Sequence, residues 1–248
     1  MPPMRPDVEQ RLRELIRRFY DRQAGSFGTT RAKPWPGWAR VVDRVPPGGD
    51  PLRVLDAGCG NGRFGVFCAG RQGRPLAYVG TDQSRGLLDQ ARDALGALPS
   101  EQIHSLDWQI DDLAADPPEL PDGRFDLVVC FGVLHHLPRH TTRRRLLHAL
   151  ASRVTEGGRL AVSWWRLDRL DHFAKKRRPW STIGLTDADV EAGDALLAWQ
   201  GDELALRYLH FPTDDELASL DQVGSLDTVD RFESDGRSGR ENLFVVYG

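Results

Sequence analysis

The stretch "RVLDAGCGNGRFG", residues 53–65, decides the fold. A short apolar run through Val54 and Leu55 leads into Gly58, Gly60 and Gly62, and Arg63-Phe64-Gly65 follows. A glycine-rich turn between a strand and a helix lets backbone approach a ligand closely and points helix N–H groups at it. Gly60, Gly62 and Gly65 also satisfy G-x-G-x-x-G, the dinucleotide fingerprint. By themselves the glycines suit a dinucleotide or another adenosine-containing cofactor.

Outward from this loop the chain alternates. "LAYVGTD" reads as a second strand, "SLDWQIDD" as a third, and "FDLVVCFGVL" as a fourth, apolar enough for burial on both faces. "RLAVSWW" gives a fifth after Gly157-Gly158. Between them, "RFGVFCAG" opens a helix. "SRGLLDQARDALGAL" carries Leu87, Leu88, Ala91 and Leu95 on one helical face, with Ser84 as N-cap. Thr141 or Thr142 can cap a helix carrying Leu146, Leu147, Leu150 and Val154. Repeated βα units predict an α/β, doubly wound, mostly parallel sheet. Before the sheet, Val8, Leu12, Leu15, Ile16 and Phe19 predict a helix over 7–20, followed by the proline-rich loop "GSFGTTRAKPWPG". After it, residues 166–210 break the rhythm as an insertion. Thr213-x-x-Glu216 then forms a capping box, and "SLDTVDRF" and "NLFVVYG" are two final strands. The expected divisions are 1–50, an N-terminal helix and covering segment; 51–165, the cofactor-binding core; 166–210, the insertion near the acceptor; and 211–248, which completes the core.

Bulk numbers narrow the class. The 248 residues are 40% hydrophobic and 28% charged, the composition of a soluble globular chain. No run approaches the ~20 apolar residues that span a bilayer, and the N-terminus lacks the apolar core of a signal peptide. Cys59, Cys68 and Cys130 form no C-x-x-C pair. That argues against disulfides and zinc, so a cytoplasmic protein without a metal is expected. The net charge of −3 does not mark a general nucleic-acid binder.

Asp56 separates the two cofactor readings. It stands two residues before Gly58, where a pyrophosphate would meet its carboxylate. At ~4 Å such a like-charge pair costs about 4 kcal/mol at an intermediate dielectric. S-adenosylmethionine carries no phosphate but does carry a sulfonium and an ammonium, so an acid beside the turn suits it. Asp82, closing the second strand, is placed to hold ribose hydroxyls.

"VLDAGCGNGRFG", "VGTDQS" and "FDLVVCFGVLHHL", in that order, resemble the class I S-adenosylmethionine-dependent methyltransferases across residues 52–165. The resemblance implies a Rossmann-like, seven-stranded sheet whose last strand is antiparallel. It implies cofactor contacts from Asp56, Gly58, Gly60, Asn61, Gly62, Asp82, Gln83 and Phe131. It places the adenine-binding acid at Asp112, or one residue earlier at Asp111. Arg31, Lys33 and Trp35 would close over the cofactor from the N-terminal side.

The flanks, "TTRAKPWPGW", "VLHHL", "LRYLHFPTDDELASL" and "GRENLFVVYG", resemble the tRNA wobble-uridine carboxymethyl methyltransferases. That family makes a methyl ester on a wobble-uridine carboxymethyl group and often uses a small activating subunit. Residues 166–206 depart from its pattern. The resemblance points to Arg207, Tyr208 and His210 as substrate residues, with Arg207 also beside the methyl. His135 and His136 follow the fourth strand at the sheet's ligand-binding end, where one of them could act on an acceptor. The basic runs "RHTTRRRLLH" and "AKKRRPW" could track tRNA phosphates, with Trp180 stacking on a base. The alternatives are a small-molecule O- or C-methyltransferase of the same fold, a nicotinamide-dependent oxidoreductase, and a non-catalytic partner that keeps the fold.

Overall fold

Apolar residues spaced three and four apart form the buried face of α1 (Pro6–Phe27), which runs past the predicted end. The structure, a computed structural model, describes residues 4–27, 33–199 and 202–248. Arg31 lies outside the described residues. The order continues α2 (Pro36–Val42), β1 (Leu52–Ala57), α3 (Arg63–Gln72), β2 (Leu76–Asp82), α4 (Arg85–Gly96), β3 (Ile103–Ile110), β4 (Phe125–Cys130), α5 (His140–Ala151) and β5 (Val154–Trp165). After these come α6 (Asp171–Ala174), β6 (Arg177–Arg178), β7 (Asp194–Trp199), β8 (Asp202–His210), α7 (Asp214–Ser219), β9 (Gln222–Val223), β10 (Leu226–Ser234) and β11 (Asn242–Tyr247).

Among the described residues the main sheet has eight strands in the order β3-β2-β1-β4-β5-β11-β10-β9. The first five are mutually parallel, and β11 is antiparallel to both β5 and β10. The antiparallel last strand is as expected; the two-residue β9 adds an eighth to the expected seven. Alternate residues of the central strands pack on opposite faces. Leu55 and Val128 face one apolar cluster with α5, while Val54 and Leu127 face another with α3 and α4. Strand order reverses between β2 and β4 on either side of β1, which opens a crevice at the strands' carboxyl ends.

The caps follow the sequence in part. Ser84 Oγ accepts the Leu87 N–H at 3.4 Å. Thr141 and Thr142 lie inside α5, not at its cap. The Glu191 carboxylate takes the His140 N–H instead, and the Thr142 hydroxyl donates to Glu9. Thr213 Oγ accepts the Glu216 N–H at 3.1 Å. The Glu216 side chain does not return the bond, because Arg143 and His210 hold it.

The expected insertion forms its own antiparallel sheet, β6-β7-β8. Val8, Leu12 and Ile16 of α1 pack on it with Trp180, Leu196 and Tyr208. Trp180 is therefore buried, which removes it as a surface for base stacking. Among the described residues no helix is long and apolar enough to cross a membrane.

A buried ionic cluster fastens this layer to the core. Arg143, 1% exposed, donates to Glu216 at 2.8 Å and to Glu191 at 3.1 Å. His210 lies between Asp194 at 2.7 Å and Glu216 at 2.6 Å, and the Tyr208 hydroxyl donates to Asp194 at 2.6 Å. Glu191, Asp194 and His210 are close enough to share a cation. The Arg143 guanidinium already supplies one.

Candidate active site

The crevice is built from the end of β1. Gly58 and Cys59 both donate their N–H to the Thr81 carbonyl at 2.8 Å, which stitches the loop to β2. Gly58 has φ +77°, and a Cβ there would stand 2.3 Å from Val133 Cγ2. Gly62 has φ +76°, and a Cβ there would meet Leu95 at 2.6 Å and Ala91 at 2.9 Å, so α3 and α4 approach only with glycine present. Asp82 locks the result: its two oxygens accept the N–H groups of Gly60 and Ser84, each at 2.9 Å.

A cavity of about 630 Å³ lies over this crevice, within the range of roughly 300–1,000 Å³ usual for ligand sites. Of the residues expected from sequence, Trp35, Asp56, Gly58, Gly60, Asn61, Asp82, Gln83, Asp111, Asp112, Phe131 and His136 line it. Gly62 sits behind the wall, packed on α4. Lys33 is exposed, and its carbonyl accepts from Arg63 at 3.2 Å.

The acids of the cavity differ in environment. Asp56 is buried and accepts the Tyr78 hydroxyl at 2.7 Å. Burial pushes its pKa up to about 7 against the Tyr78 bond, with Asp82 adding to the rise. Its negative charge is therefore partial at neutral pH, and a nearby cation would restore it. Burial also raises Asp82, opposed by its two N–H bonds. Asp111 is 3% exposed, and neither of its oxygens has a hydrogen-bond partner among the described residues. Burial, then Glu119 and Asp112, lifts it to about 6. Asp112 is engaged, pairing with Arg13 of α1 and accepting the Ala114 N–H at 2.9 Å. Cys59 also lines the cavity, but burial and then Asp56 keep its thiol protonated.

The expected acceptor-side residues separate. His135 and His136 lie on the 3-10 turn after β4. His136 faces the cavity, with its Nε2 against the Tyr20 hydroxyl and its Nδ1 3.4 Å from the Tyr208 carbonyl. That pairing suits an Nδ1–H tautomer accepting from Tyr20. His135 is fully buried and stacks on Trp165 at 4.1 Å. Arg207 is buried among Phe19, Trp165 and Trp199, with its guanidinium 4.7–5.4 Å from their centroids. Tyr208 and His210 belong to the ionic cluster and do not line the cavity.

Sequence reasoning missed the α1 wall. Glu9, Arg13, Ile16 and Tyr20 recur at helical spacing and line the cavity. The signal was present as a second stripe beside the apolar face. Trp38, Arg63, Leu87 and Leu113 were also missed. Of the first basic run, Arg139 pairs with Glu9 and Arg143 with Glu216, both largely buried acids, while Arg145 pairs with the exposed Asp116.

Comparison with known proteins agrees with this geometry. The methyltransferase-domain family matches residues 55–160. An Encephalitozoon cuniculi protein named as a methyltransferase is 31% identical over 236 residues, 94% of each chain. The tRNA (carboxymethyluridine(34)-5-O)-methyltransferase of Saccharomyces cerevisiae is 30% identical over 160 residues, 63% of this chain and 50% of that protein. The solved N-methyltransferase NodS of Bradyrhizobium japonicum, in complex with S-adenosyl-L-homocysteine, superposes with TM-score 0.57 at 15% identity over 97% of both chains, a likeness of fold. Sheet order, glycine loop and full-length relative converge: the chain belongs to the S-adenosylmethionine-dependent methyltransferases.

Proposed function

We propose that this methyltransferase esterifies the carboxymethyl group of a tRNA wobble uridine. The observation that carries this reading is the alignment with the yeast enzyme, whose name states that reaction. The chain spans about half the length of that protein, and only the aligned half informs the reading.

The cavity fits the cofactor. The unpartnered Asp111 carboxylate suits an adenine amine, Asp82 suits ribose hydroxyls, and Asp56 lies where a cationic tail would sit. Bound there, S-adenosylmethionine supplies an electrophilic methyl group. An ionised carboxylate acceptor needs no general base, so the protein's part is to align it, exclude water and offer donors. Tyr20 and His136 line this end of the cavity, already paired with each other through the hydroxyl and Nε2, and Arg207 stands behind them through Trp165.

Tritiated S-adenosylmethionine, tRNA lacking the ester and a small-molecule extract test the acceptor. Cell extract is added in one arm, because an activating subunit belongs to the same reading. Label is expected in tRNA, and mild alkali should release it as methanol, since esters hydrolyse and N- or C-methyl groups do not. Label confined to the small-molecule fraction overturns the reading in favour of the small-molecule enzyme, and alkali-stable label in tRNA overturns the ester.

The acids predict a pH dependence that needs no acceptor. Asp111, near 6, accepts from an amine more strongly when ionised, so S-adenosylhomocysteine should bind more weakly as pH falls through 6. Asp111→Asn should weaken binding about tenfold at pH 8, the value of a charged hydrogen bond, and shrink the acid limb to the part near 7 that belongs to Asp56. Asp112→Asn run in parallel identifies which acid is responsible. Equal profiles for wild type and Asp111→Asn would remove Asp111 from the adenine site.

A further inference from the structure

The cavity is polarised along the sheet. Of its sheet-borne acids, Asp82 closes β2, Asp111 and Asp112 follow β3, and Asp56 stands in the middle at the end of β1. On the other side, toward β4, the wall carries donors instead. Arg63 opens α3, and its guanidinium lies 5.5 Å from the Trp38 ring and 6.0 Å from the Trp35 ring. Its NH1 donates to the Lys33 carbonyl at 3.2 Å, which fixes the fork against this wall. The Trp38 indole packs on Phe64 of α3 at 5.6 Å and stacks on Phe131 after β4 at 6.2 Å. Trp38 is 3% exposed, yet its Nε1–H has no hydrogen-bond partner among the described residues. A buried indole N–H without a partner is costly, so a ligand acceptor there is favoured. The first turn of α3 has neither a side-chain cap nor an acidic residue. Its leading N–H groups have no intrahelical partners and add positive potential.

An adenosine seated on the side of the acids would direct the amino-acid tail toward this donor wall. We propose that Arg63 and the Trp38 indole N–H form the seat of the cofactor's α-carboxylate, so that the protein selects its cofactor by the tail as well as the adenosine. The guanidinium supplies charge and a fork that matches a carboxylate. The indole supplies a single fixed donor held by four aromatic neighbours: Trp35, Phe64, Phe67 and Phe131. Asp56, at the end of β1, is left to face the cationic part of the same tail. The inference rests on the cofactor assignment and is independent of the methyl acceptor.

Titration calorimetry with two ligands tests it. One is S-adenosylhomocysteine; the other is its decarboxylated analogue, identical except for the missing carboxylate. Wild type should prefer S-adenosylhomocysteine by about 30-fold or more, as loss of a charged hydrogen-bond pair implies. Arg63→Gln should weaken S-adenosylhomocysteine about 20-fold and leave the analogue within twofold. Arg63→Lys should restore part of the loss, since the charge returns without the fork. Trp38→Phe should weaken S-adenosylhomocysteine about fivefold with the same selectivity for the carboxylate. A merely structural role would weaken both ligands together, and that result overturns the proposal for the residue concerned. Equal wild-type affinity for the two ligands overturns it for both residues. Failure of wild type to bind either ligand overturns the seat and the cofactor placement alike. None of these outcomes depends on whether tRNA is methylated.

Discussion

Arg143→Met should lower the stability of the protein by about 3–5 kcal/mol, the usual cost of removing one partner from a buried ion pair. For a chain of this size that is a fall in melting temperature on the order of 10 °C. The reason is local. Arg143 is 1% exposed and Glu216 is 6% exposed, so the glutamate would be left without its guanidinium and without access to water. Glu191 would lose the same partner at 3.1 Å. The cluster also sets a pH window. Burial raises Glu216, but His210 and Arg143 outweigh that and hold it at about 2, below its ordinary 4.5. Its contribution is present above 4.5 and is lost as pH falls toward 2. Burial and the Arg143 charge pull His210 down, yet its bonds to Asp194 and Glu216 prevail and hold it above 6.5. Its contribution is complete below 6.5 and is lost as pH rises through the raised value. Wild type should therefore resist denaturant better near pH 6 than near pH 9, and His210→Gln should flatten the alkaline limb. A melting curve for Arg143→Met within a degree of wild type would show that the cluster carries no net stability.

Asp82→Ala should weaken S-adenosylhomocysteine about 10- to 150-fold, from the roughly 1.5–3 kcal/mol of a charged hydrogen bond. Two losses combine. The ribose would lose its acceptor, and the N–H groups of Gly60 and Ser84 would lose the carboxylate that positions the glycine loop and the start of α4. Asp82→Asn keeps one acceptor oxygen and should recover part of the affinity. Because Asp82 holds backbone through both oxygens, the variant should also lower the melting temperature, so affinity is read on protein shown to be folded. An unaltered dissociation constant for Asp82→Ala would place the cofactor elsewhere.

The parallel core was legible because its signals are local. Val54 and Leu55 alternate between sheet faces, Leu127 through Cys130 are apolar on both, and glycine at 58 and 62 answers a positive φ with no room for a Cβ. The bare acid after β3 was legible only to one residue, since a single step there turns a side chain from engaged Asp112 to bare Asp111. The small sheet was not read, although "DALLAWQGDELALRYL" holds two apolar runs around Gly201. Without alternation, such short runs do not separate strand from buried helix. Arg143 was hidden for another reason. It stands in "RRR" with Arg144 and Arg145, and consecutive helical residues face different ways. Its partners Glu191 and Glu216 are 48 and 73 residues away, and nothing within the run identifies which arginine is buried. Tyr208 and His210 read as substrate residues by family resemblance alone, yet their hydroxyl and ring nitrogens are satisfied by Asp194 and Glu216.

The apolar stripe of α1 finds its cover in Trp180, Leu196 and Tyr208, more than 150 residues further along the chain. On a translating ribosome the helix emerges long before that cover exists. At roughly 5–20 residues per second the wait is on the order of ten to thirty seconds. Throughout it Leu12 and Ile16 have nowhere native to go, and the main sheet waits longer still for β11, so nascent-chain chaperones would meet both.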